Sequence, residues 1–203
     1  MLRASCGHTC TIIVKFSPHM SLKILISLFS ASADAELCEA NVSVFNITLI
    51  CMGKCKEKFY ISAAEEYAKR LGGYCRFKLL ELPEYRLPED PSPAQIAMGL
   101  AREAEDIKKA IPKGAWFCVL TPEGKLQSSE ELAQTMQTVK TSGKSAACFL
   151  IGSSFGMDPA IKAMADLKLS MSKMTFPHHL ARVMVLEQLY RAEAIQNGSK
   201  YHK

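Results

Sequence analysis

Ala146-Ala147-Cys148-Phe149-Leu150-Ile151, then Gly152-Ser153-Ser154-Phe155-Gly156, then Asp158-Pro159 and the residues to Ala165, is the stretch that decides the fold. An unbroken apolar run bounded by turn signals reads as a strand buried on both faces, which is the habit of a parallel sheet. The glycine-framed loop lets the chain leave the sheet. Asp158 ahead of Pro159 then starts a helix: the carboxylate caps free N–H groups, and proline is tolerated where its missing N–H has no partner anyway.

The same grammar repeats on both sides. Upstream, residues 46–52 form a β-branched apolar run ended by Gly53, and residues 57–71 carry Phe59, Ala63, Tyr67 and Leu71 at helical spacing before Gly72-Gly73. A second strand covers residues 75–82, and residues 83–93 hold four of the nine prolines in a solvated loop. Residues 94–111 place Ile96, Leu100, Ala104, Ile107 and Ile111 on one helical face. A third strand, residues 115–120, is cut by Thr121-Pro122-Glu123-Gly124, and Ser128 with Glu131 makes a capping box for a helix running to about Lys140. Downstream come a fifth strand at 167–171, a loop at 172–177 and a last helix at 179–196. That helix is expected to bury Leu180, Val183, Leu186, Tyr190 and Ala194 and to stop at Gly198. Strict alternation of strand and helix predicts an α/β fold, a parallel sheet with helices on both faces.

Composition sets the outer bounds. At 203 residues with 48% apolar and 22% charged residues, the chain is neither disordered, collagenous nor a coiled coil. No run approaches the roughly 20 apolar residues of a spanning helix, so no membrane partner is expected. The net charge of +5 is unevenly spread. Residues 45–80 hold seven cations against three anions, residues 161–203 the same, and residues 81–131 six against ten. If the two basic ends meet in space, they make a surface suited to a polyanion such as RNA. The eight cysteines contain no Cys-x-x-Cys pair, and Cys75, Cys118 and Cys148 lie in apolar runs. Free buried thiols in a reducing, cytoplasmic setting fit best. Cys51 and Cys55 are four apart, but no downstream His or Cys pair completes a zinc motif, so no metal is expected.

Residues 1–44 read differently. They hold no lasting period, and the apolar block from Ile24 to Phe29 only outlines a secretory signal, short and late in the chain. One arginine and three acids also suit a transit peptide poorly. The segment is read as an unmatched leader, disordered or a misassigned start, ahead of one domain at 45–203.

Ligands of open parallel sheets bind beyond the carboxyl ends of the strands, which here means after Leu120, Ile151 and Met171. Gly143-Lys144-Ser145 resembles the end of a P-loop, but Thr138 stands where the leading glycine belongs. Gly152-Ser153-Ser154-Phe155-Gly156 matches the nucleophile elbow literally, with Ser154 at its centre. Only Asp166 and the tail His202 follow as partners, so a serine hydrolase is a competing reading. In the last helix and tail, Arg182, Arg191, Tyr201 and His202 supply cations, a stacking ring and an imidazole. Glu187 stands four residues before Arg191, a helical ion-pair spacing. Those are the groups an enzyme acting on an RNA base uses.

Several stretches carry a family likeness. They are Gly53-Lys54, Lys56-Glu57-Lys58, Glu66-Tyr67 with Lys69-Arg70-Leu71, the turn from Leu120 to Gly124, and Phe149 to Gly152. After them come Leu169-Ser170-Met171-Ser172-Lys173-Met174-Thr175-Phe176-Pro177-His178, Arg182-Val183, Glu187 to Ala192, and the ending Tyr201-His202-Lys203. From Asn46 to Lys203 the chain resembles the RlmH family of SPOUT-class methyltransferases, which methylate N3 of a pseudouridine in 23S ribosomal RNA. The resemblance implies a C-terminal trefoil knot and a pocket for S-adenosyl-L-methionine that touches Leu120, Gly152, Met171, Ser172, Lys173, Met174, Thr175 and Phe176. It implies a homodimer in which one subunit's tail approaches the cofactor of the other, acting on 23S rRNA within the ribosome. His202 is then the candidate for proton handling and Tyr201 for stacking on the base. Glu187 and Arg191 would fix the RNA or the tail, and Arg182 and His178 would contact RNA. Ser153 where relatives have a second glycine, and Thr121 where an acid is common, are departures; the second is expected to remove an acceptor for the cofactor. A SPOUT-fold protein that binds ribosomal RNA without methylating it is the other reading.

Overall fold

The computed structural model describes residues 44–202. The leader ahead of Val44, with Cys6, Cys10 and Cys38, and the last residue, Lys203, lie outside the described residues. The strands are β1 (Asn46–Met52), β2 (Arg76–Leu82), β3 (Trp116–Leu126), β4 (Ala146–Ile151) and β5 (Leu167–Ser170). Between and after them run α1 (Lys58–Leu71), α2 (Pro93–Ala110), α3 (Ser129–Thr141), α4 (Pro159–Met164) and α5 (His178–Gln196). The strands form one five-stranded sheet in the order β2-β1-β4-β3-β5, and every pairing is parallel.

Burial explains the order. Every residue of β4 is buried, and β1 is buried after Asn46, so the two most continuous apolar runs take the middle of the sheet. Arg76 and Lys78 put charge on β2, which takes an edge and blunts it. Side chains of the central strands alternate between two cores. Ile47, Leu49, Phe149 and Ile151 face α1, α3 and α5, whereas Ile50, Met52, Val119 and Leu150 face α2 and α4. Helices therefore cover both faces, as the alternation implies. Cys75, Cys118 and Cys148 are buried free thiols, and burial pushes Cys75 and Cys148 up to about 12.

Three expectations change. Strand β3 does not end at Leu120. Leu120 and Lys125 both pair with Leu169, so residues 121–124 arch out and the strand resumes along β5. Gly124 makes this feasible, since a Cβ there would lie 2.6 Å from the Leu169 carbonyl carbon. In α1, Phe59 is 66% exposed, and the inward face is Tyr60, Ala64, Tyr67 and Leu71. In α5, none of its residues is exposed. It packs on α1, α3 and β4, so its buried set is Arg182, Val185, Leu186, Leu189, Ala192, Glu193 and Ala194 rather than one apolar stripe. The packing of α1 on α5 also brings the two basic segments of the chain together.

Candidate active site

The chain leaves β3 toward α3 on one face and leaves β4 toward α4 on the other. Adjacent strands that send their connections to opposite faces leave a crevice at their carboxyl ends, the usual ligand position in such sheets. Here it is a cavity of about 350 Å³. Leu120, Gly152, Met171, Ser172, Met174, Thr175 and Phe176, all expected at a cofactor, line it, and His178 joins them. Lys173 is exposed and is not among the lining residues.

The walls are held from outside. At Gly152 the loop turns so tightly that a Cβ would stand 2.4 Å from the Gly156 carbonyl oxygen. Ser153 is 4% exposed and donates its hydroxyl to Glu103 Oε2 at 2.8 Å. The other Glu103 oxygen accepts the Tyr85 N–H at 2.9 Å. Glu84 accepts the Ser154 N–H at 3.1 Å. The proline-rich segment is thereby tied to the loop that shapes the cavity. Sequence reading missed Glu103, a buried carboxylate; the signal was its place on the inward face of α2 between Leu100 and Ile107. Thr121 lines the cavity with a buried hydroxyl that makes no hydrogen bond of good geometry. The departure from an acid at this position therefore still leaves an oxygen that can accept. Lys162, another wall residue, lies 2.6 Å from Glu123 and holds that carboxyl down at about 2.

The residues read as catalytic gather in one cluster away from this lining. Glu187 Oε1 accepts from Arg191 Nε at 2.9 Å and from the Tyr201 hydroxyl at 3.1 Å. Arg191 lies 4.8 Å from the centre of the Tyr201 ring, a cation–π arrangement. The His202 ring sits between Arg191 Nη1, 3.4 Å from Nδ1, and Glu130 Oε1, 2.8 Å from Nε2. Glu130, from the first turn of α3, is a member that sequence reading missed. Hydrogen bonds from Ser128 first, then its own backbone N–H, and then the contact with His202 hold its carboxyl at about 2. Burial, then hydrogen bonding with Tyr67 and Glu187, raises Tyr201 to about 12.

Arg182 departs from its expected role. It is 3% exposed, pairs with Glu81 and donates to the Gly53 carbonyl at 3.0 Å, so it holds the end of β1 to β2 instead of facing RNA. The hydrolase triad does not assemble either. Ser154 gives its hydroxyl to Glu84 at 3.4 Å, Asp166 accepts the Phe117 N–H at 2.8 Å, and His202 faces Glu130. The fold also brings His179 beside Cys55 and Glu57.

Residues 45–202 match a family model described as "Predicted SPOUT methyltransferase". Over 160 residues the chain is 41% identical to "Ribosomal RNA large subunit methyltransferase H" of Moorella thermoacetica, covering 79% of this chain and 100% of that protein. The protein of the same name from Acetivibrio thermocellus is 43% identical over 157 residues, covering 77% of this chain and 99% of that one. Among solved structures, a probable methyltransferase from Bordetella pertussis Tohama I aligns at 14% identity with a TM-score of 0.48, over 74% of this chain and 96% of that one. The matched residues include both the cavity and the tail cluster, and this chain belongs to the SPOUT methyltransferase family, alongside the ribosomal RNA large subunit methyltransferase H proteins.

Proposed function

We propose that this protein transfers a methyl group from S-adenosyl-L-methionine to N3 of a pseudouridine in 23S ribosomal RNA, working as a homodimer on the assembled ribosome in the cytoplasm. The observation that carries the reading is the cavity at the carboxyl ends of β3, β4 and β5, bounded by the three turns the family resemblance assigns to the methyl donor. Its residues suit that ligand. Leu120, Ile151, Met157 and Met174 offer apolar walls for a flat ring, and the Thr121 hydroxyl, beside the Glu123 carboxylate, has an oxygen that can accept. The one cation on the wall, Lys162, is already paired with Glu123, so it does not oppose a positively charged ligand. The family's C-terminal knot belongs to this proposal.

When bound, the donor supplies a methyl group on a sulfonium. As the ring nitrogen bonds to the methyl carbon, the carbon–sulfur electron pair stays with sulfur and the imide proton leaves. The protein's work is then alignment and removal of that proton. His202 is the candidate acceptor. With Nε2–H donated to Glu130, the ring is fixed by a carboxylate and Nδ1 is the atom that accepts a proton, provided Arg191 moves aside. The Tyr201 hydroxyl, held protonated, serves as a donor or a stacking ring rather than as a base. The tail cluster is not part of its own subunit's cavity, which favours delivery to the partner's donor. Lys54, Lys56, Lys69 and Arg76, all from the basic segment that includes α1, are exposed and suit phosphate binding.

Ribosomes from cells lacking the protein, incubated with it and labelled S-adenosyl-L-methionine, test the reading. One methyl group is expected at a single 23S pseudouridine, located by mass spectrometry. Retention of the donor by folded protein with no label entering RNA would overturn the enzyme reading in favour of a ribosome-binding protein.

A further inference from the structure

Beside the start of α5, Cys55, Glu57 and His179 meet. One potential ligand atom from each lies within 4.8 Å of the other two. Cys55 Sγ is 3.8 Å from Glu57 Oε2, and His179 Nε2 is 3.6 Å from the same oxygen. A tetrahedral ion with metal–sulfur bonds near 2.3 Å and metal–nitrogen or metal–oxygen bonds of about 2.0–2.2 Å spaces its ligand atoms roughly 3.3–3.6 Å apart. The two spacings to Glu57 Oε2 need to close by only a few tenths of an ångström, and Cys55 Sγ and the His179 ring nitrogen lie within 4.8 Å of each other. Of the three, only Glu57 lies in a stretch that carries the family likeness, and Cys55 and His179 fall outside those stretches, so the resemblance does not imply this cluster.

Each member is held ready without being committed elsewhere. The Cys55 N–H donates to Glu81 Oε1 at 3.0 Å, which fixes the thiol's backbone. Glu57 occupies the N-cap position of α1 but makes no side-chain capping bond. His179 turns Nε2 toward the Glu57 carboxylate, and its Nδ1 makes no hydrogen bond, so no third group claims the ring. The nearby Arg182 does not oppose a cation, because Glu81 already neutralises it. A thiolate, an imidazole and a carboxylate suit a borderline-soft divalent ion, and three protein ligands leave a fourth position for water.

We propose that Cys55, Glu57 and His179 form a divalent-metal site of the zinc class that clamps the start of α1 to the start of α5. The thiol proton leaves to solvent as the sulfur–metal bond forms. His178, the neighbour of His179, lines the donor cavity, so the clamp steadies one wall of that cavity from behind. The site does not depend on methyl transfer.

The full-length, metal-free protein titrated with cobalt chloride tests this. The expected result is one equivalent per chain, with a near-ultraviolet sulfur-to-cobalt charge-transfer band that zinc chloride displaces. Cys55→Ser removes the band, and His179→Gln weakens binding at least tenfold, while circular dichroism stays that of the folded protein. Should Cys55→Ser not fold, His179→Gln decides alone. No band on folded protein, or a band and affinity that survive the substitutions, as they would if leader cysteines took the metal, overturns the proposal.

Discussion

At Ser153, the residue that stands where relatives have a second glycine anchors the loop. Its hydroxyl fills one side of a buried carboxylate whose other oxygen holds the chain at Tyr85. Ser153→Ala leaves a buried acceptor short of one partner and is expected to cost about 1–2 kcal/mol of stability. Weaker binding of S-adenosylhomocysteine, several-fold by calorimetry, should accompany it, whereas a purely local defect would lower stability and leave binding unchanged. Tyr201 makes a second prediction. Its hydroxyl ionises near 12 in the folded chain and near 10 when unfolded. The folded state therefore holds the proton more tightly, so this contribution to stability is complete below pH 10 and is lost as pH rises toward 12. A phenolate absorbance titration compared with Tyr201→Phe should find this one tyrosine ionising in that upper range. A midpoint at 10 would mean the tail is not docked.

Among the elements, strands were legible to within a residue or two where an apolar run was unbroken, as in β1 and β4. Helix starts were legible where a side chain closes the first turn. Both Ser92 and Ser128 make reciprocal capping boxes, although only the second was read as one. What escaped was set by neighbours instead of local chemistry. Helix α5 is packed by α1, α3 and the sheet, so no single stripe marks its core, and Arg182 and Glu193 are buried because Glu81 and Lys140 meet them from other elements. Phe59 sits at helical spacing with Ala63 yet points outward, since the sheet selects the face holding Tyr60 and Ala64. The arch in β3 hid because Thr121-Pro122-Glu123-Gly124 looks like a turn, while its resumption depends on pairing with β5. Gly124→Ala tests the arch: overpacking against Leu169 should cost about 1–3 kcal/mol and lower the melting temperature. A neutral result would mean that β3 and β5 separate there in solution.

For the molecule as a whole, the position of the cavity was readable because turns after parallel strands are where such sheets bind ligands, whereas its individual residues were expected only from the family resemblance. Which groups the tail contacts was not readable: His202 and Tyr201 fold onto Glu130 and Glu187, not onto their own cavity. The proposed composite site across a homodimer makes a sharp prediction. His202→Ala and Gly152→Val should each be inactive alone. Mixed dimers would pair one intact cavity with one intact tail, and an equal mixture should regain about a quarter of wild-type methylation. No recovery after subunit exchange would place tail and donor in the same chain. All of this rests on the cavity taking the methyl donor, and calorimetry with S-adenosylhomocysteine asks that most directly. The account predicts saturable heat for the wild-type protein and none for a folded Gly152→Val variant; a flat titration of folded wild-type protein would contradict it.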